Sequence, residues 1–245
     1  MTESTGLRAG YFAAASLVRP ALNAIMSKEW QGAHHIPESG FIVCANHISN
    51  LDPLALGHMI YSLGHLPHFL AKSELFQLPV VGGIITGLRQ IPVDRARGGN
   101  ESLVAADRVL SEGGAIIIYP EGTLTADPEL WPMKAKTGAA RLALKAGVPV
   151  IPVAQWGIHE VLPKTAKAPR LRPRRTGRIR IGAPVPLEDL RESTLTRAVL
   201  ETASERIMTA ITGELEVLRG EDAPEGRWNP RTGQREAGHR GQGIS

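Results

Sequence analysis

The chain has 245 residues, 42% of them hydrophobic and 21% charged, which suits one well-buried α/β domain with a small additional element. A net charge of +4 favours anionic partners, a phosphorylated substrate or an anionic membrane surface, while 4% aromatic residues argue against a nucleic-acid module that stacks bases. The single cysteine, Cys44, excludes an internal disulfide framework and a cysteine zinc site, and it fits a reducing cytosol.

Residues 1–28 read as an amphipathic segment. Leu7 to Met26 is predicted to be helical, with Tyr11, Phe12, Ala15, Leu17, Val18, Leu22 and Ile25 on a broad apolar face, and Pro20 is expected to kink or divide it. Such a helix either packs on the domain or lies in a membrane interface. A strand over Glu29 to Ile36 leads through Pro37-Glu38-Ser39-Gly40 into an apolar run, Phe41 to Ala45, read as a buried strand. A helix follows Pro53, then a short strand from His68 to Ala71. Helical turns after Ser73 and Pro79 precede a strand from Gln90 to Val93.

Leu75 to Gly87 is the longest apolar stretch, but Pro79, Gly82 and Gly83 interrupt it. It falls short of the ~20 residues needed to span a bilayer. The N-terminus shows no typical signal-peptide core, so a membrane, if met, is met at its surface. Glu101 to Leu110 reads as an amphipathic helix and Gly114 to Tyr119 as the clearest buried strand. A helix from Gly138 to Lys145 and a buried strand from Val148 to Gln155 follow. The composition turns basic and proline-rich from Pro163 to Arg178, and Arg170 to Arg180 reads as a solvated loop or a contact with anionic lipid. The proline-rich stretch precedes a strand at Arg178 to Ile181 and a helix from about Thr194 to Leu218. Residues 219–245, almost without apolar content, are expected to be a disordered tail after a domain over 29–218. Strands alternating with helices imply a mostly parallel central sheet with helices on both faces and functional loops at the strand carboxyl ends.

The chemistry gathers at those loops. Asp52 lies five residues after His47, roughly 500° around a continuous helix, so the two side chains meet only if the chain turns between them. Ser49 and Asn50 are good helix caps and Pro53 suits a first helical turn, which places His47 on a strand-to-helix loop with Asp52 at the helix start. A carboxylate on one ring nitrogen would fix the tautomer and leave the other a better base. The same residues also read as a helix cap beside an exposed histidine. Glu121, Gly122 and Thr123 follow a second strand and Arg95 ends a third, so all can share one cleft on one sheet edge.

Asn46-His47-Ile48-Ser49-Asn50-Leu51-Asp52 resembles the NHxxxxD motif of the glycerolipid acyltransferases, the family that includes the 1-acylglycerol-3-phosphate acyltransferases. Tyr119-Pro120-Glu121-Gly122-Thr123 is similar to the family's (F/Y)PEGT motif. Val93-Asp94-Arg95 resembles the end of its second block, and Val148 to Val153 its fourth. The four blocks, in the family's order, spread over about residues 29 to 185.

The resemblance implies a glycerol-3-phosphate acyltransferase-like α/β fold and transfer of a fatty acyl group to the free hydroxyl of 1-acyl-sn-glycerol 3-phosphate, giving phosphatidic acid. The donor would be an acyl thioester, acyl-CoA or acyl-ACP, the latter bringing acyl carrier protein as a partner; no cofactor, metal or nucleic acid is implied. His47 would be the general base and Asp52 its orienting partner. Arg95 would hold the acceptor phosphate with help from Lys136 and Thr123. Asn46, Glu121 and Gly122 would also belong to the substrate site, with backbone N–H groups near Gly122 facing the oxyanion. The implied location is peripheral, on the cytoplasmic face of the plasma membrane. Two departures bear on the acceptor: Leu124 stands where the family usually has arginine, and Arg89 where it usually has glycine. Another lysophospholipid or a glycolipid is the alternative acceptor, and a non-catalytic lipid-binding module is the reading from a different class.

Other reactive side chains read as structural. Cys44 suits the close of a buried strand better than a nucleophile. His58, His65 and His68 match no common zinc spacing. Ser49 lacks the Gly-x-Ser-x-Gly elbow of a hydrolase.

Overall fold

The computed structural model describes residues 4–94 and 100–236. Helix α1 (Thr5–Ile25) leads into β1 (Met26–Gln31), a 3-10 turn (Ala33–His35) and β2 (Phe41–Ala45). Then come α2 (Asp52–Ser62), β3 (Pro67–Lys72), a second 3-10 turn (Ser73–Gln77), α3 (Val81–Gly87), β4 (Ile91–Val93), α4 (Asn100–Ser111) and β5 (Ala115–Ile118). The chain continues through α5 (Gly138–Ala146), β6 (Val150–Trp156), α6 (Ile158–Val161), β7 (Arg175–Ile181), α7 (Glu188–Arg191) and α8 (Arg197–Arg219). A hairpin of β8 (Arg227–Asn229) and β9 (Gln234–Glu236) closes the described part.

Seven strands form one sheet in the order β1-β7-β6-β2-β5-β3-β4. From β6 to β4 all five run parallel; β7 pairs antiparallel with β6 and carries β1 parallel to itself. The mostly parallel, helix-covered sheet expected from the alternation of elements is the one found. Central β2 is buried along its whole length because both faces are covered, which is why it reads as a continuous apolar run. Its side chains alternate between two cores. Ile42 and Cys44 join Ile116 and Ile118 under Leu110 of α4, Leu142 of α5, and Ile207 and Ile211 of α8. Phe41 and Val43 join Ile117 and Ile151 under Leu22 of α1, Leu56 and Met59 of α2, and Ile158 of α6. Each such side chain contributes about 1.5–3 kcal/mol by leaving water. The parallel arrangement brings the carboxyl ends of β2, β3, β4, β5 and β6 to one edge.

Four expectations are corrected. The first strand is Met26–Gln31 rather than Glu29 to Ile36, because Gly32 turns left-handed (φ 77) and starts a 3-10 turn. Pro20 does not divide α1, which is one helix of 21 residues, capped by Ser4 at its start and by the Arg174 guanidinium, which donates to Asn23 O and Met26 O at its end. Neither Ser49 nor Asn50 caps α2: the cap position is Leu51, and the Ser49 hydroxyl accepts from Leu51 N–H at 3.1 Å instead. The tail does not start at Arg219, since residues 227–236 pair as a hairpin whose arginines reach back to acids on the domain; residues 237–245 lie outside the described part.

Candidate active site

Asn46 ends β2 with its side chain buried. Its amide donates to Gln155 O at 3.0 Å and accepts from Gln155 N–H at 2.7 Å, so it locks the end of β2 to β6. His47 comes next, as the chain leaves the sheet. The turn closes when Asp52 N–H donates to Ser49 O, at 3.1 Å, bringing the carboxylate back over the loop. Asp52 Oδ2 then lies 2.9 Å from His47 Nδ1, and it also accepts the N–H groups of Ile48 (2.7 Å) and Ser49 (2.8 Å). Three donors converging on one fully buried carboxylate oxygen fix its position. With Nδ1 donating to Asp52, Nε2 carries the free lone pair. The ring stacks on Tyr119, centroids 4.1 Å apart and planes 19° apart, and its side chain keeps 16% exposure.

The second loop grips the histidine by its backbone. Glu121 Oε1 accepts His47 N–H at 3.1 Å, and Thr125 N–H donates to His47 O at 2.7 Å. The other Glu121 oxygen accepts Met133 N–H at 3.0 Å, so one buried carboxyl bridges the β2 loop and the loop through Trp131. Burial pushes Glu121 up to about 8, against the opposing pull of the Met133 and His47 N–H groups and the Thr125 hydroxyl; the Asp52 charge adds to the rise. Gly122 closes the turn by donating to Tyr119 O at 2.8 Å, with φ 73. A Cβ there would sit 3.2 Å from the Lys136 side chain in a conformation L-residues rarely adopt, so glycine suits the position twice over.

These loops open on a cavity of about 1210 Å³, larger than the ~300–1,000 Å³ of most small-ligand sites. His47, Tyr119, Gly122, Thr123, Leu124 and Lys136 line it. One arm is apolar, walled by Val18, Leu54, Phe69, Ile84 and Leu88, with the small residues Ala14, Ala15 and Gly57 leaving room between α1 and α2. Tyr11, Tyr61 and Gln90 stand at that arm, tied together as Gln90 donates to the Tyr11 hydroxyl at 2.8 Å and accepts Phe69 N–H at 2.7 Å. Leu54 and Ile84 are also exposed, so the apolar arm reaches the surface beside α2 and α3.

The expected site residues thus separate. His47, Gly122, Thr123 and Lys136 face the cavity, and Asp52 stands directly behind the histidine. Asn46 and Glu121 are buried, with hydrogen bonds to Gln155 and to two backbone N–H groups; their side chains hold the loops and do not reach the cavity. The Gly122 N–H is engaged by Tyr119 O, which removes it as an oxyanion donor. Arg95 lies outside the described residues. Three cations that the sequence reading did not place in the site, Arg19, Lys72 and Arg141, also line the cavity. Lys72 pairs in register with Val93, two residues before Arg95. Its signal in the sequence is faint: one lysine closing a short strand.

Of the remaining reactive groups His58 also lines the cavity, and the others sit elsewhere. Cys44 is buried in the core, and burial pushes its thiol up to about 12. His58 accepts from Arg19 Nε at 3.2 Å and is driven down to about 4 by burial and by the Lys28 and Arg19 charges. His65 meets the Phe41 ring edge-on and His68 the Tyr11 ring. The Ser49 hydroxyl donates to Leu162 O at 2.7 Å.

Residues 28–156 match the family model described as Acyltransferase. The chain belongs to the acyltransferase family. It is 32% identical over 123 residues to a 1-acyl-sn-glycerol-3-phosphate acyltransferase of Bacillus subtilis, covering 49% of this chain and 57% of that one. It is 33% identical over 167 residues to the sheep (Ovis aries) enzyme 1-acyl-sn-glycerol-3-phosphate acyltransferase alpha, covering 66% of this chain and 55% of that one. The chain spans roughly half the length of such curated relatives, 38% for a chloroplastic one from Brassica napus. Among solved structures it is similar to the 1-acyl-sn-glycerophosphate acyltransferase PlsC of Thermotoga maritima, with TM-score 0.63 and 26% identity over 87% of this chain and 81% of that one. The acyltransferase match spans both the His47–Asp52 loop and the Glu121–Thr125 loop.

Proposed function

We propose that this acyltransferase moves a fatty acyl group from a thioester to the free hydroxyl of 1-acyl-sn-glycerol 3-phosphate, forming phosphatidic acid. The observation that carries the reading is the His47–Asp52 pair, 2.9 Å apart, with the His47 ring on the wall of a cavity lined by apolar side chains and by Arg19, Lys72, Lys136 and Arg141. His47 Nε2 takes the proton of the acceptor hydroxyl as that oxygen bonds to the thioester carbonyl carbon. The C–S bond then breaks, and the leaving thiolate receives the proton from the imidazolium. Asp52 orients the ring and stabilises its cationic form. No acyl-enzyme forms, because the acceptor itself is the nucleophile.

The apolar arm takes an acyl chain, and Lys72, Lys136 and Arg95 take the acceptor phosphate. Arg141 and Thr123 line the same cavity as the two lysines. With the Gly122 N–H engaged, the N–H groups of Thr123 and Leu124, on the cavity wall, are assigned to the oxyanion. The donor is acyl-CoA or acyl-ACP. The protein works as a peripheral enzyme at the cytoplasmic membrane face; no helix among the described residues is long and apolar enough to cross a bilayer.

His47→Ala is expected to lower kcat by about 10²–10⁴-fold with the fold intact. Thiol release from acyl-CoA, run against 1-acylglycerol 3-phosphate and against phosphate-free acceptors, tests both halves. Residual activity near the wild-type level would remove the base. A second reading, acylation of a glycolipid or another lysophospholipid, is favoured by Leu124 on the cavity wall where the family usually has arginine. Preference for a phosphate-free acceptor would decide for it.

A further inference from the structure

The hairpin of β8 and β9 bridges two parts of the molecule. On one side Arg227 donates to Glu205 Oε1 and Oε2 at 2.9 and 3.1 Å, and to the hydroxyls of Thr212 and Thr209, so it is fastened to α8. On the other side Arg235 holds Asp127 at 2.7 and 3.0 Å and Glu129 at 2.6 Å. The Asp127 side chain is fully buried, and that guanidinium is its cationic partner. Trp228 O accepts Lys134 N–H at 3.0 Å.

The loop held this way is the one that positions the proposed base. The N–H of Met133 donates to Glu121 and the next N–H, of Lys134, to the hairpin. At the loop's other end Asp127 N–H donates to the Thr125 hydroxyl, and Thr125 N–H donates to His47 O. Two hydrogen-bonded steps therefore lead from His47 O to Asp127, which the hairpin grips, and from His47 N–H to Met133, the neighbour of the gripped Lys134.

We propose that the Arg227–Glu236 hairpin is a brace for the active site, with Arg235 a positioning residue that keeps the 125–133 loop closed over Glu121 and so fixes His47. The brace rests on His47 acting as the base only where it concerns turnover; its grip on the loop is measurable without any assay. In Arg235→Ala, kcat is expected to fall about 10-fold or more while both KM values stay within about twofold, since positioning rather than substrate contact is lost. Arg235→Lys should recover part of the loss.

Hydrogen exchange on the same variants should quicken in residues 121–134 and around His47, leaving β5 and α8 unchanged. In the unmodified chain, residues 227–236 and 125–134 should open together. A hairpin that exchanges more than about 10-fold faster than the loop overturns the brace, and this reading survives an Arg235→Ala chain that fails to fold. Unchanged loop exchange in Arg235→Ala overturns it too, as does a loss expressed in KM alone. His47→Ala in the same assay separates the two ideas. If that variant keeps activity the base assignment fails, and the exchange data still judge the brace.

Discussion

Glu121 combines two opposed demands in one side chain. Both oxygens accept N–H groups, which suits the ionised form, while burial raises its proton affinity to about 8. The folded-state value exceeds the ordinary one, so the stabilisation it gives is fullest below the unfolded value near 4.5 and is lost as pH rises through 8. The neutral variant Glu121→Gln should flatten the pH dependence of the urea midpoint between pH 5 and pH 8. It should also lower kcat about 10-fold, because an amide can accept only one of the two N–H groups. Parallel slopes for wild type and variant would show that Glu121 does not set the trend. Side-chain direction is also where reading the sequence fell short. The His47–Asp52 pairing was legible because turn-forming residues lie between them. The inward turn of Asn46 and Glu121 was not, since a strand-end residue can face cavity or core with the same letters in the same order.

The end of α3 shows how one residue can strain a well-formed element. Gln90 N–H donates to Ile85 O and Arg89 N–H to Thr86 O, the paired bonds of a helix that closes through a left-handed residue. That residue is Arg89, φ 52, at the position where the family resemblance leads one to expect glycine. Arg89→Gly should raise stability by about 1 kcal/mol, a rise of a few degrees in Tm, unless the arginine is needed at the surface. A lower Tm would mean that its side chain contributes more than the strain costs. Among the elements, β2, β5 and β6 were legible because burial on both faces leaves an unbroken apolar run. The hairpin of β8 and β9 was not, because its order comes from Arg227 reaching Glu205, 22 positions away, and Arg235 reaching Asp127, 108 positions away, pairings that composition cannot reveal.

At the scale of the whole molecule, α1 covers one side of the cavity yet buries little of its own apolar surface. Phe12 and Leu17 remain 67% and 77% exposed, on the helix whose Tyr11 and Val18 line the apolar arm. If this face meets the bilayer, Phe12→Ser with Leu17→Ser should weaken binding to anionic vesicles by more than 10-fold, given about 1.5–3 kcal/mol for each apolar side chain. Sedimentation with vesicles measures it, and equal binding by the double variant would place the membrane contact elsewhere. Net charge and the apolar face of the first helix raised the expectation of such a surface; which residues of that helix line the cavity depends on helix packing and was invisible in the sequence.

The position of β2 between β5 and β6 also sets an order in time. As the chain is synthesised from its N-terminus, His47 has Asp52 within reach almost at once. Its strand, however, has no neighbour on one side until Ile118 is made and none on the other until Trp156. Glu121 can take His47 N–H before Met133 exists to hold its second oxygen, and the hairpin that grips this loop is made later still. The helix with exposed Phe12 and Leu17 is made before all of these. Nascent chains of increasing length should therefore acquire vesicle affinity long before they acquire turnover.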